Sequence, residues 1–471
     1  MKSINKNYAI ILLLSFYFLA SILIVLLFDG TGERGSGDSI LHYLYSKYAL
    51  SDPSLFFNHW AKPMFVFFSF PFAQFGIVGI KFFNIIVAAF TLFFTYKTAK
   101  ELNYKNAIIA SIILLFTPLY FILIFSGLTE ILFSLFLIYC TYQFVKKKYL
   151  LGTIIISFLP FIRSEGLIII GIFGFFLLIK KEWKIIPYLI FGHVIYSLLG
   201  YFYYNDILWV FTKIPYAKLS STYNSGELFH FANQLFYVVG APIYLFFVLG
   251  IISIIKDYFI NHKTLFNETS LLIFGSFLSY FVAHSLFWYL GIFNSMGLKR
   301  VLIAVAPLIA IITLIGYNFV TENISNKKYK LKKIVQALVL IIIILFPFSS
   351  NKSAINWDKD FRLVKSQKLV MDVAEYLKTN VKNTVYIYSD PYLSELLNIN
   401  HFDKKIRKGL SLQNFRQLKN NEIIIWDNWF GVIEHGISEE KIRSLPNLKE
   451  LKNFEIKDGG REIKFILFIS K

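Results

Sequence analysis

Cysteine is all but absent. The 471-residue chain holds one, Cys140, inside an apolar run, which excludes an intramolecular disulfide and a cysteine-cluster metal site. Acidic residues are scarce, 29 Asp and Glu against 48 Lys and Arg, and only 13 of the acids fall in residues 1–350. No glycine-rich phosphate loop follows any β-rich run, which argues against a nucleotide site. No internal repeat relates the apolar segments, which weakens a transporter built from inverted repeats. No grouping of His, Cys and carboxylates has metal-ligand spacing, so neither a metal nor another cofactor is expected.

What is abundant is apolar surface. Hydrophobic residues make up 56% of the chain, with 52 Phe and 29 Tyr, and mean hydropathy is +0.57. A soluble globule of this size cannot hide that much, so lipid must be part of the solvent. The net charge of +19 would suit nucleic acid, but its distribution does not. Residues 1–350 carry 27 Lys/Arg and 13 Asp/Glu, whereas the 121 residues 351–471 carry 21 and 16. The pattern is a membrane domain, 1–350, followed by an ordinary soluble domain, 351–471.

Runs of bilayer-spanning length fall near 8–28, 79–97, 107–124, 128–145, 185–203, 233–255, 270–291, 299–319 and 334–349. The run 150–179 would reach about 45 Å as one helix, too long for an upright span. Pro160, Arg163 and Glu165 interrupt it, so two helices meeting at that turn are expected. The total is eleven crossings, with 64–75 as an extra apolar helix. The first run lacks a small-x-small cleavage site after it and is expected to stay in the membrane.

With the N-terminus inside, the inner segments collect Lys2, Lys6, Lys97, Lys100, Lys105, Lys146–Lys148, Lys180, Lys181, Lys184, Lys256, Lys263 and five Lys between 327 and 333. That arrangement obeys the positive-inside rule. The loops 29–62 and 204–232 and the C-terminal domain then face the non-cytoplasmic side of the cell membrane. In the tail, 384–390, 422–429 and 462–470 read as strands, with helices at 363–379 and 438–444, a small α/β unit.

Charges at the outer boundary carry the chemistry. GSGD (35–38) delivers Asp38 to the start of an amphipathic segment with His42, Tyr43 and Tyr45, and His59-Trp60-Ala61-Lys62-Pro63 leads into the next apolar helix. A carboxylate near a proline-bounded lysine suits general-base chemistry beside a phosphate. The plain alternative is a capping aspartate and a snorkelling lysine. Ser126–Glu130 lies between two apolar runs, and Arg163-Ser164-Glu165 puts opposite charges at a helix break. Arg163 is then either a phosphate donor or the partner of Glu165 or Glu130 in a buried ion pair. Lys299 and Arg300 open the tenth span at its outer end, against the topological trend, and read as a lipid-headgroup contact or a phosphate clamp.

In this order, GD…Y (37–43), W-x-K-P (60–63), S-x-x-T-E (126–130), R-x-E-G (163–166) and K-R…P (299–307) resemble the GT-C superfamily of polytopic glycosyltransferases. These include protein O-mannosyltransferases, dolichol-pathway mannosyltransferases and bacterial aminoarabinose transferases. The resemblance implies an all-α, GT-C-like polytopic membrane protein with about eleven transmembrane helices and a small extracytoplasmic α/β domain. It implies inverting transfer of a sugar from a polyprenyl- or dolichyl-phosphate donor to a glycan, lipid or protein hydroxyl on the non-cytoplasmic face. Asp38 matches the catalytic acid of the first outer loop. Lys62 matches the lysine before proline, and Arg163 and Arg300 match basic phosphate contacts, with Lys299 beside Arg300 as a further phosphate-binding candidate. His59, Tyr43, Glu130 and Glu165 are supporting or acceptor-side candidates. The family often pairs two acids where this chain has Asp38-Ser39, so Glu130 substitutes or one base suffices, with Glu33 and Asp29 in reserve. A polysaccharide polymerase or ligase differs only in the acceptor. A transporter or lipid flippase is the alternative from another class, and would place polar residues at the midplane of several spans.

Overall fold

The structure, a computed structural model, describes residues 8–32, 35, 37–217, 220–259, 266–324, 329–381 and 384–471. The candidate Glu33 and the inner-loop Lys2, Lys6, Lys263, Lys327 and Lys328 lie outside the described residues.

Among those residues, seven helices are long and apolar enough to cross a bilayer: Tyr8–Leu27, Gly76–Glu101, Ile186–Tyr204, Ala241–Phe259, Thr269–Leu290, Lys299–Glu322 and Tyr329–Phe348. The protein is an integral, multi-pass membrane protein. Four shorter apolar helices, Pro63–Ala73, Glu130–Val145, Tyr149–Phe161 and Gly166–Ile179, accompany them. Seven of the eleven expected spans reach that length; three others fall in the shorter helices Glu130–Val145, Tyr149–Phe161 and Gly166–Ile179, and one is split. The expected span 107–124 breaks at Thr117-Pro118 into Ile108–Leu115 and Pro118–Ile124, because a proline opens a new helix more readily than it continues one. The expected span 233–255 breaks at Gly240, whose φ of 78° ends the helix His230–Val239. Hydropathy averaged over a window sees neither break. The turn expected around 160–165 is present between Tyr149–Ile156 and Gly166–Ile179.

The peripheral helix Tyr8–Leu27 buries only Ile10, Tyr17 and Ser21 and turns Leu12, Leu19 and Leu26 outward, as a lipid-facing span should. Tyr17 holds it to the bundle by donating to the Ile85 carbonyl at 2.9 Å. At the centre, Lys299–Glu322 is almost wholly enclosed. It meets Ala241–Phe259 through glycines: a Cβ on Gly316 would lie 1.9 Å from the Phe246 carbonyl oxygen, and one on Gly250 2.0 Å from that of Ile312. Small residues let helix backbones approach this closely where no hydrophobic effect pulls them together.

The tail forms a sheet of β1 (Tyr386–Ile387), β2 (Arg407–Lys408), β3 (Ile423–Asp427), β4 (Leu448–Asp458) and β5 (Arg461–Ser470), in the order β2-β1-β3-β5-β4. Strand β1 is parallel to β2 and β3, and β5 is antiparallel to β3 and β4. Alternation puts Ile423 and Ile425 in one core with Leu369, Val373 and Leu377 of helix Lys365–Asn380, and Ile424 and Trp426 in another with Ile442 and Phe468. Strands β2 and β4 were not expected from the sequence. The first is two residues long, and the second carries so many charges that its alternation is faint.

The feature that positions the site is the helix Gly37–Tyr48, in the loop that follows Tyr8–Leu27. Its Ile40, Tyr43 and Leu44 share a core with Leu369, Val373 and Leu393 of the tail and with Ile80 of the span Gly76–Glu101. The loop helix is therefore clamped between the bundle and the C-terminal domain.

Candidate active site

Three carboxylates converge because each stands at the start of a helix. Asp38 lies in the first turn of Gly37–Tyr48, Glu130 opens Glu130–Val145, and Glu165 directly precedes Gly166–Ile179. Helix N-termini favour negative charge, so these starts accommodate the acids that guanidinium groups then bridge. Arg163 Nη1 donates to Glu130 Oε1 at 2.8 Å and Nη2 to Glu165 Oε1 at 2.9 Å. Arg300 Nη2 donates to Asp38 Oδ2, and its Nε stands 3.5 Å from Glu130 Oε1. A chain of alternating charge thus runs from Asp38 through Arg300, Glu130 and Arg163 to Glu165. His284 Nε2 closes it at 3.6 Å from Glu165.

These groups line a cavity of about 410 Å³, together with Lys62, His42, Trp60 and Tyr216. Apolar side chains, among them Leu167, Ile168, Phe231 and Phe287, complete the lining. Asp38 keeps 41% of its side chain accessible, and that surface looks into the cavity. Burial by itself would raise the Asp38 carboxyl. The Arg300 guanidinium outweighs it, helped by His42 and Arg163, and holds the group below its ordinary value.

Lys62 reaches the cavity from an unusual backbone position. It precedes Pro63 with φ 65°, a conformation that costs a non-glycine residue about 1–3 kcal/mol and is kept where its surroundings enforce it. The ammonium donates to Tyr216 Oη, and that hydroxyl donates to the His59 carbonyl at 2.9 Å. Burial pushes the Lys62 amino group down to about 7, although Glu165, Glu130 and Asp38 all favour its charged form. Unlike the two arginines, it makes no ion pair among the described residues. His42, one turn beyond Asp38, stacks on Trp60 with ring centres 4.8 Å apart, and burial lowers it to about 3, so it is neutral.

Asp38, Lys62, Glu130, Arg163, Glu165 and Arg300 are thereby brought to one place, and three other candidates are not. Tyr43 points the opposite way and donates to Glu395 Oε1 of the C-terminal domain at 2.9 Å. His59 lies behind the cavity wall, its Nε2 3.3 Å from the Trp209 carbonyl and its ring against Trp209. Lys299, half-buried, is outside the lining that Arg300 joins. The reserve Asp29 accepts from the Leu363 amide at 3.2 Å and also stays outside. For Arg163 the geometry is the ion-pair alternative, twice over. Ser39, where a second acid would stand, staples the loop instead: it donates to the Thr31 carbonyl and accepts from the Gly127 amide at 2.6 Å. Sequence reasoning missed Tyr216 and His284. The histidine inside an apolar span was a usable signal, whereas Tyr216 sits in an aperiodic loop and gave none.

No protein-family profile matches the chain, and no curated protein sequence does. Solved structures do. ArnT from Cupriavidus metallidurans, in its crystal structure bound to undecaprenyl phosphate, superposes with a TM-score of 0.63 at 10% identity, covering 98% of each chain. The fold is ArnT-like. The apo crystal structure of the same ArnT superposes with a TM-score of 0.61 at 9% identity, over 96% of this chain and 97% of the other. The likeness in fold extends over nearly the whole length of both chains. At such identity ArnT speaks for the fold, and the argument for chemistry rests on the cavity.

Proposed function

We propose that this protein is a membrane glycosyltransferase that moves a sugar from a polyprenyl-phosphate donor to an acceptor hydroxyl. One observation carries the reading: a carboxylate, Asp38, and an ammonium that makes no ion pair among the described residues, Lys62, face one cavity with a largely apolar lining. That combination suits an isoprenoid phosphate, with the chain against Leu167, Ile168, Phe231 and Phe287. The undecaprenyl phosphate bound to ArnT in the similar fold supports the same donor class.

In this reading Asp38 takes the proton of the acceptor O–H. The acceptor oxygen bonds to the anomeric carbon while the bond from that carbon to the phosphate oxygen breaks, and the electron pair leaves on the polyprenyl phosphate. A single displacement of this kind inverts the sugar. The leaving group is already an anion, so no acid need protonate it, unlike the leaving oxygen in ordinary glycosidases. Lys62 and Arg300 hold its growing charge, and Arg163 fixes Glu130 and Glu165. The cavity is assigned to the non-cytoplasmic face, with the N-terminus inside.

Asp38→Asn tests the base. It should leave folding and membrane insertion intact and lower sugar transfer by about 10³-fold, within the range general-base catalysis supplies. Transfer at the wild-type rate would remove Asp38 from that role.

A further inference from the structure

The three cations of the cavity differ in how far they are committed. Arg163 spends both Nη groups on the carboxylates of Glu130 and Glu165, Lys62 donates to the Tyr216 phenol, and Arg300 is held by Asp38 and stands at 3.5 Å from Glu130. Arg300 is thus the cation whose partner is the base itself. A carboxylate tied to a guanidinium makes a poor base, because the bond favours the ionised form and occupies one of its two oxygens.

We propose that Arg300 is a positioning residue exchanged between Asp38 and the donor phosphate, so that the base is released only when the donor is seated. The proposal rests on the glycosyl-transfer reading and adds an order to it. In the empty site Arg300 parks Asp38. An arriving phosphodiester offers the planar guanidinium a stronger, bidentate partner beside Lys62. Asp38 then faces the acceptor with no cation on its oxygen, next to an anion that raises its proton affinity. Donor therefore binds first, and an acceptor or a water entering an empty cavity meets a disabled base.

The sign of the proton linkage follows. Asp38 is below its ordinary value in the empty site and rises on binding, so the complex takes up protons and affinity grows as pH falls toward about 4–5. The other titratable groups around Asp38 are His42 and Lys62 on its own loop, Glu130, Glu165 and His284 on the membrane helices, and Tyr216 and Tyr223 in the segment between Ile186–Tyr204 and His230–Val239. Arg163 and Arg300 stay charged throughout. At about pH 5.5 Lys62, at about 7, is already charged, and His42 is neutral.

The probe is undecaprenyl methyl phosphate, a phosphodiester with no second ionisation, titrated into the detergent-solubilised full chain. Asp38→Asn removes the competitor for Arg300 and should bind the probe about tenfold more tightly than wild type, the worth of one hydrogen bond to a charged group. Calorimetry of the wild type at pH 5.5, in buffers of different ionisation enthalpy, should show proton uptake that Asp38→Asn abolishes. The wild-type measurement needs no variant to fold. If the wild type binds the probe but Asp38→Asn binds it no more tightly and uptake is unchanged, the exchange is wrong and the glycosyl-transfer reading stands. If the wild type does not bind the probe, the reading of the cavity fails with it.

Discussion

Lys62 is a cation whose surroundings disfavour its charge. An amino group pushed down to about 7 loses its charge as pH rises through that value. Affinity for a polyprenyl phosphodiester should therefore fall by about tenfold between pH 6 and 9. Lys62→Arg, which stays charged, should flatten that profile even though its geometry weakens binding overall. A steep profile in Lys62→Arg would assign the titration to another group. A second residue works in the opposite sense. Asp427, at the end of β3, accepts from the Trp429 and Phe430 amides at 3.0 and 2.7 Å, yet burial, with Asp390 nearby, raises it to about 8. An acid raised on folding binds its proton more tightly in the folded state. Its stabilising effect is complete below about 4 and is lost as pH rises toward 8. Asp427→Asn keeps the acceptor for those amides without the titration. Thermal unfolding should show it several degrees more stable than wild type at pH 8, with the advantage shrinking steadily as pH falls toward about 4.

The element that matters most is Gly37–Tyr48, because its orientation aims Asp38. Glu395 of the C-terminal domain accepts from Tyr43 at 2.9 Å and from Lys47 at 2.8 Å, both part-buried, and fixes one side of that helix. Glu395→Ala should cost about 1–2 kcal/mol of stability and lower transfer several-fold, through geometry rather than chemistry. Unfolding in detergent and a transfer assay at one donor concentration would read both, and a variant with unchanged activity would show the clamp to be dispensable. The element scale is also where the sequence was most and least legible. Long apolar runs announced the helices Tyr8–Leu27, Gly76–Glu101 and Lys299–Glu322, because a bilayer demands unbroken apolar length. Breaks at Thr117 and Gly240 escaped, because one residue decides them and an average over twenty hides it. In the tail β3 and β5 were visible as dense Ile and Phe runs. Strand β2 was not, since two residues between turns acquire their conformation from their neighbour β1.

For the whole molecule, six charged residues spread from position 38 to 300 meet at one cavity. They were individually legible because charge at the boundary of lipid is costly and so conspicuous. Their mutual pairing was not. Nothing in the spacing said that Arg300 would choose Asp38 or that Arg163 would hold two acids, since those choices depend on how the helices Glu130–Val145 and Gly166–Ile179 are placed by the rest of the bundle. Nor did the sequence show that the helix Gly37–Tyr48 would share a core with a domain more than 300 residues later. The C-terminal domain is thus part of what shapes the site, whatever else it binds.

The central claim is that the cavity between Asp38 and Lys62 receives an isoprenoid-linked phosphate. A cryo-electron microscopy structure of the full chain with undecaprenyl phosphate tests it directly. The account predicts phosphate density within hydrogen-bonding distance of Lys62 and Arg300, with the isoprenoid running along Leu167, Ile168, Phe231 and Phe287. Lipid bound elsewhere on the bundle, with this cavity filled only by water and the Arg300–Asp38 pair intact, would contradict it.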